Sequence, residues 1–288
     1  MNRTSTRASL AALAAASVLL AGCNGGDDKG DDKPTDGGSS ATTSDSPSAA
    51  GSPSSSSGTT SGGATLDKAD FYETIIAAQR EAGSYRSTST TSSTGASMVL
   101  EGEATFEGGK LLGHAKSGPK SAQPMETVVA GGVLYLKSEG LGVPAGKWLK
   151  LDSNDPANAD SPLAGLAAAA DPEATLRAAG ELEKLEKVGS EKVDGVDADH
   201  YEAVMTTKSF ADALNLPAEV AKELPARLPF DVWVDGENRP VKMTTTFEIG
   251  GTTSTSEQKY FDYGADISVT VPKDSETVTP ADLGLDKG

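Results

Sequence analysis

A single cysteine in 288 residues excludes a good deal at once. Cys23 has no second thiol to pair with, so the chain forms no internal disulfide and no thiolate metal cluster, and its fold must rest on a packed core. Histidine is almost as scarce: His114 and His200 are the only two, and neither has a ligand-spaced neighbour of the H-E-x-x-H kind. Asp194, Asp197 and Asp199 precede His200 closely, but they read as a polar hairpin turning at Asp194-Gly195 and not as a metal loop. No G-x-S-x-G elbow exposes a nucleophilic serine. Residues 142–147 imitate a phosphate loop one residue too short, with Trp148 where a metal-binding Ser or Thr belongs. The chain therefore reads as a non-enzyme with no metal and no cofactor. Positive charge is also in deficit, with 25 Lys and Arg against 42 Asp and Glu and a formal charge of −17. Nucleic-acid binding and electrostatic docking on anionic lipid both need a basic surface, so both are disfavoured.

What is present begins with a secretion signal. Arg3 and Arg7 give a positive start, and residues 10–20 are an Ala, Leu and Val stretch, too short for the roughly 20 apolar residues of a permanent membrane span. The stretch ends in Leu20-Ala21-Gly22-Cys23, which resembles the bacterial lipobox, where small residues let a peptidase reach the bond before a cysteine that carries thioether-linked lipid. The resemblance implies removal of residues 1–22 and a diacylglycerol and acyl (palmitate-type) anchor on Cys23. It places the chain on the outer face of the cytoplasmic membrane, in the cell envelope. Loss of Arg3 and Arg7 leaves the remainder at −19. From the lipidated cysteine through residue 65 the chain is Gly, Ser, Thr, Asp and Pro with almost nothing large and apolar. Such a segment cannot bury enough surface to offset its ordering entropy, and 23–65 reads as a disordered tether reaching roughly 35 Å. Asp27, Asp28, Asp31 and Asp32 belong to that solvated spacer and are not a calcium site.

Residues 66–288 are long enough for one domain with a substantial core and a short C-terminal tail. Phe71, Ile75, Ala78 and Ala82 recur at helical spacing within 66–82, with Gly83 after them. From residue 84 the period changes to two: Met98, Leu100, Gly102, Ala104 and Phe106 share one strand face, while Glu101, Glu103, Thr105 and Glu107 share the other. Gly108-Gly109, Gly131-Gly132 and Gly250-Gly251 each separate two strand-like runs, as tight hairpins require. Further strands are predicted at 123–130, 133–137, 147–151, 182–192, 200–206, 230–234, 241–249 and 255–263. Two helical insertions interrupt them. The first is an Ala-rich stretch at 163–170 followed by a helix capped by Asp171-Pro172-Glu173 and ending at Gly180; the second is a pair at 210–214 and 218–224. The predicted class is α+β, a single large curved antiparallel sheet wrapping an N-terminal helix and the two insertions.

Several short phrases then carry a resemblance: Gly132-Val133-Leu134-Tyr135-Leu136, Lys147-Trp148-Leu149-Lys150-Leu151, the run from Val188 to Val196, His200-Tyr201, and Val232-Trp233-Val234-Asp235 before Arg239-Pro240-Val241. Together with the lipobox and tether they resemble the LppX/LprAFG lipoproteins of actinobacteria, similar in fold to the LolA and LolB lipoprotein carriers. The resemblance spans about residues 66–272 and implies a LolA-like half-barrel whose apolar cavity takes the acyl chains of a lipid or glycolipid, as carrier or chaperone. On this chain such a cavity would be lined by Met98, Leu100, Phe106, Met125, Val129, Val232, Val234, Met243 and Phe247, with 163–179 as a movable lid. The same alternation is what a filled core would show. Trp148 and Trp233 would be the side chains able to stack on a sugar. The alternative is a sensory or protein-binding envelope lipoprotein that uses the same scaffold on a protein partner and transports nothing.

Overall fold

The computed structural model describes residues 65–93, 96–118, 121, 124–152, 155, 182–213, 218–249 and 252–285. The signal, the lipobox cysteine, the tether, the 163–179 segment with its Asp171 cap and the Gly250-Gly251 turn lie outside the described residues.

Helix α1 (Phe71–Ala82) begins where its apolar spacing does, at Phe71, with Asp70 before it. The residues from Leu66 to Asp70 form a turn instead: the Leu66 amide donates to the Tyr201 hydroxyl at 3.3 Å, and the Asp67 carboxylate takes the Ala69 N–H at 2.8 Å. Gly83 ends the helix at φ +78°, a left-handed stop that returns its N–H to Arg80. Among the described residues twelve strands follow: β1 (Ser84–Ser93), β2 (Ala96–Glu107), β3 (Lys110–Ser117), β4 (Met125–Ala130), β5 (Val133–Ser138), β6 (Trp148–Asp152), β7 (Lys184–Val193), β8 (Val196–Thr206), β9 (Arg227–Asp235), β10 (Pro240–Ile249), β11 (Thr252–Phe261) and β12 (Thr277–Val278). Between β8 and β9 lie α2 (Thr207–Ala213) and α3 (Ala218–Glu223). The former starts earlier than predicted because Thr206 Oγ1 accepts the Ser209 amide at 3.2 Å as a cap.

The strands form one open sheet in the order β12-β6-β5-β4-β3-β2-β1-β11-β10-β9-β8-β7. Two meanders, β1 to β6 and β7 to β11, are joined where β1 pairs with β11, so the chain leaves β6 near one edge and re-enters through β7 at the other. Three predicted two-residue turns lie among the described residues: Gly108-Gly109, Gly131-Gly132 and Asp194-Gly195 all have positive φ at both positions, matching the right-handed twist of the flanking strands. Among the described residues all pairing is antiparallel except that of β12 with β6, which makes the sheet mixed.

That parallel pair ends a segment the sequence did not announce. After β11 the Gly264 amide bonds to the Ser84 carbonyl at 3.0 Å, and the Ser84 hydroxyl donates to the Ala265 carbonyl. The chain then crosses the convex side of the sheet as a strap, where Val269 packs on Val128, Tyr135 and Trp148. Lys147 Nζ fastens its far end by donating to the Ser275 carbonyl at 2.6 Å.

The main core lies on the concave side. Phe71, Tyr72, Ile75 and Ile76 of α1 pack on Tyr201, Ala203 and Met205 of β8 and on Leu228, Phe230, Val232 and Val234 of β9, with Leu66 and Leu182 completing the cluster. Among the described residues no helix is long and apolar enough to cross a membrane. Phe71 is 1% exposed, edge-on to Tyr72 with ring centres 5.1 Å apart. Phe71→Ala is expected to cost about 3–5 kcal/mol in urea denaturation, since a helix fixed at both ends cannot collapse into the void; a loss below about 1 kcal/mol would show that α1 is not the keystone of this core.

Candidate functional site

Strand alternation dictates which side chains can meet in the hollow of the sheet, and the register states it rung by rung. One rung reads Ser117, Leu100, Ser89, Gln258, Met243, Val232, Tyr201 and Lys187, each the direct partner of the next across eight strands. Directly opposed residues project to the same face. Leu100, Met243 and Val232 thus share the concave face, joined by Met98 and Phe106 on β2, Val234 on β9 and, two rungs along β10, position 247. Another rung sets Val129 against Gly113 and Leu134, and Met125 follows Val129 at even spacing on β4.

The eight of these whose side chains are described therefore share one face but not one environment. Val232 and Val234 are fully packed under α1, with Met243 half-buried against the same cluster. Phe106 lies beside Tyr85, its ring centre 6.4 Å away, next to Ala104, Leu111 and Tyr260. Leu100 and Val129 are buried on the β2–β6 half, where Met98 and Met125 are half-buried. Five leucines absent from the predicted set occupy this half too: Leu111, Leu134, Leu136, Leu149 and Leu151, all buried. Their signal was present in the period of 133–137 and 147–151, but a period identifies a face without saying which strands stand beside it.

Between these halves the central strands are polar. Ser87 and Ser89 of β1 and Ser256 and Gln258 of β11 are all buried on the concave side, as is Gln79 on α1. Sequence reasoning missed this stripe because serine normally marks exposure. The available signal was the run Ser84-Tyr85-Arg86-Ser87-Thr88-Ser89-Thr90-Thr91, a strand with almost nothing apolar on either face. Gly102 belongs here as well: a Cβ on it would stand 2.6 Å from the Ser87 hydroxyl. Burial pushes the Tyr72 and Tyr260 hydroxyls far above the ordinary tyrosine range, and burial with Tyr260 alongside does the same to Tyr263. The Tyr263 hydroxyl donates to the Pro240 carbonyl at 2.6 Å. These three tyrosines are uncharged across the physiological range.

The convex face is differently built. His114 Nε2 lies 3.0 Å from Glu126 and its Nδ1 3.6 Å from Glu103, in a cleft of about 330 Å³ between β2–β4 and the strap. Burial works to raise the Glu126 carboxyl, but the His114 hydrogen bond and the Lys137 charge outweigh it and hold that group below its ordinary value. His200 stacks on Trp233 with ring centres 4.2 Å apart and bonds to Asp231 at 2.8 Å. Lys242 sits 4.4 Å from the Trp233 ring centre, and Lys137 sits 3.9 Å from that of Trp148. Each indole is 8% exposed. Neither offers a sugar an open face. Asp194, Asp197 and Asp199 each face a lysine of their own, Lys259, Lys192 and Lys187, and do not converge. Among the described residues no three His, Cys, Asp or Glu side chains come together to hold a metal ion.

No family of known proteins and no curated protein matches this chain. Among solved structures it is similar to the lipoprotein LppX of Mycobacterium tuberculosis at a TM-score of 0.45 and 14% identity, over 69% of this chain and 96% of that one. It is similar to LprF from Mycobacterium bovis at 0.41 and 14%, over 70% and 97%. It is similar also to a Pseudomonas aeruginosa MucA/MucB complex at 0.39 and 16%, over 70% of this chain and 59% of that one. The chain is an open sheet with α1 packed on one side, similar to the lipoproteins LppX and LprF at these modest scores.

Proposed function

We propose that this chain is an extracytoplasmic lipoprotein, anchored by lipid on Cys23, that binds a lipid or glycolipid in the hollow of its sheet as a carrier or chaperone. The observation that carries this reading is the apolar wall of β2–β6. Leu100, Val129, Leu134, Leu136, Leu149 and Leu151 are buried on the concave face, yet none belongs to the cluster that packs under α1. An acyl chain is the ligand such a wall suits, since each methylene removed from water is worth about 0.8 kcal/mol and ten of them about 8 kcal/mol, enough for micromolar binding. The residues between β6 and β7 link the two sides of the sheet, and they include the Ala-rich 163–179 segment. Small side chains there would cost little to displace, which suits a lid over the hollow. The anchor holds the domain near the bilayer and the polar tether of 23–65 lets it reach outward, so captured lipid would be moved locally. Net negative charge keeps the domain itself off an anionic surface.

Three measurements test this. Cys23→Ala is expected to shift the exported chain from the membrane fraction to the soluble one, and a variant that stays membrane-bound would refute the anchor. The full-length protein, extracted from membranes in mild detergent and examined by native mass spectrometry, is expected to carry a non-covalent lipid. Leu100→Asp is expected to lower its affinity for a fluorescent acyl probe by tenfold or more, with circular dichroism unchanged. A protein that is persistently lipid-free and refuses the probe is not a carrier; capture of an envelope protein by that same lipid-free chain would establish the protein-binding alternative.

A further inference from the structure

We infer that the ligand carries a neutral polar part bearing hydroxyl or amide donors, bound inside the concave face along β1 and β11 beside α1 and not held at the rim. This rests on the reading of the hollow as a lipid site and specifies which lipids fit it. The Tyr72 hydroxyl, both polar atoms of the Gln79 amide, the Ser89 hydroxyl and Oε1 of Gln258 are shut off from water and have no hydrogen-bond partner. Their residues are 7%, 0%, 3% and 4% exposed. Ser89 and Gln258 are direct partners across the β1–β11 pairing, and Gln258 is the neighbour of Met243, which packs against the cluster under α1. Gln79 lies against Tyr263 without forming a hydrogen bond of normal geometry.

A native fold seldom tolerates one such group, because burying it forfeits its bonds to water with no return. Here several share the concave side. Small residues adjoin the stripe on that face: Gly102 pairs with Ser87, and Ala115 pairs with Gly102.

The chemistry of the free atoms selects the ligand class. The amide oxygens of Gln79 and Gln258 accept hydrogen bonds and need a donor. A bare hydrocarbon leaves all of them unpaired, and an ester offers acceptors only. A carboxylate or a phosphate dianion offers acceptors too and adds a charge that would face two amide oxygens. Hydroxyl and N–H groups both give and take, and they satisfy the whole set. Arg80, next to Gln79, has Nε and Nη2 buried and unpartnered as well, and these can donate to the same hydroxyl oxygens; the residue is only half-buried, so its charge does not require an anionic partner.

Displacement of a fluorescent acyl probe from the delipidated full-length chain tests this with three matched competitors: 1-monopalmitoylglycerol, methyl palmitate and palmitate. The monoacylglycerol is expected to bind at least about tenfold more tightly than the methyl ester, because only the former can donate to the buried oxygens. Gln258→Met combined with Ser89→Ala is expected to reduce that advantage to within about twofold while leaving methyl palmitate binding intact. In the ligand-free chain Gln79→Met is expected to raise Tm by several degrees, since it deletes an unpaired buried amide with little change in side-chain volume. Equal affinities for the glyceride and the ester would overturn the inference. So would palmitate binding most tightly and losing its preference in Arg80→Met, or a Tm that falls in Gln79→Met because bound water already satisfies the amide. Failure of all three competitors and the probe to bind would overturn the lipid reading itself, whereas binding without preference overturns this inference alone.

Discussion

Eight residue pairs between β1 and β11, from Arg86 with Phe261 to Ser93 with Ser254, hold the two meanders in one sheet. Everything else on the concave side depends on that seam, because it sets α1 over β8 and β9 while α1 runs directly into β1. The seam joins segments far apart in the chain, so its closure entropy must be met before its contacts return anything. It is fastened at one end by aromatic packing, with Tyr85 5.7 Å from Tyr260 and 5.8 Å from Tyr263, and by the Arg86–Asp262 pair at 3.0 Å. Both charges of that pair are about half exposed, so the tyrosines and the backbone ladder do most of the holding.

A single sheet has two faces and two edges to protect, and this chain protects each by different means. The concave β8–β10 half is filled by α1. The convex face carries ion pairs and the covered indoles, and it is crossed by the C-terminal strap. At one edge β7 is exposed along most of its length, but Lys184, Lys187 and Lys192 and the register shift between Lys187 and Gly189 spoil it as a template for another strand. At the other edge β12 pairs with β6 through only two residues.

The features legible in the sequence were those set by local physics. Two adjacent residues able to take positive φ must turn the chain, and Gly108-Gly109, Gly131-Gly132 and Asp194-Gly195 do so. Period-two alternation set Met98, Leu100 and Phe106 on one face of β2, because a pleated strand allows nothing else. Alternation is silent about what stands opposite, which is why Val232 and Val129 look alike in the sequence and yet sit in different halves of the sheet. The turn before α1 is tied by a contact between Leu66 and Tyr201, 135 residues apart, that no local window contains. The strap from Gly264 to Val278 carries apolar residues at period two, Ile267, Val269 and Val271, yet it crosses the sheet without a strand ladder, so alternation alone does not place it.

The polar stripe was illegible for a deeper reason. Serine and threonine in a strand signal exposure when the strand lies at an edge, and β1 with β11 would have been read that way in isolation. The sheet order puts them at the centre instead, where valine or leucine would have supplied both packing and β-propensity. A centre built of Ser87, Ser89, Ser256 and Gln258 is weaker as a core than an apolar one of the same volume, because its polar atoms exchange water for incomplete partners. The seam that the fold most depends on is therefore also where its interior is least committed to itself. An interior that is closed to water and short of hydrogen bonds is one that a polar guest completes.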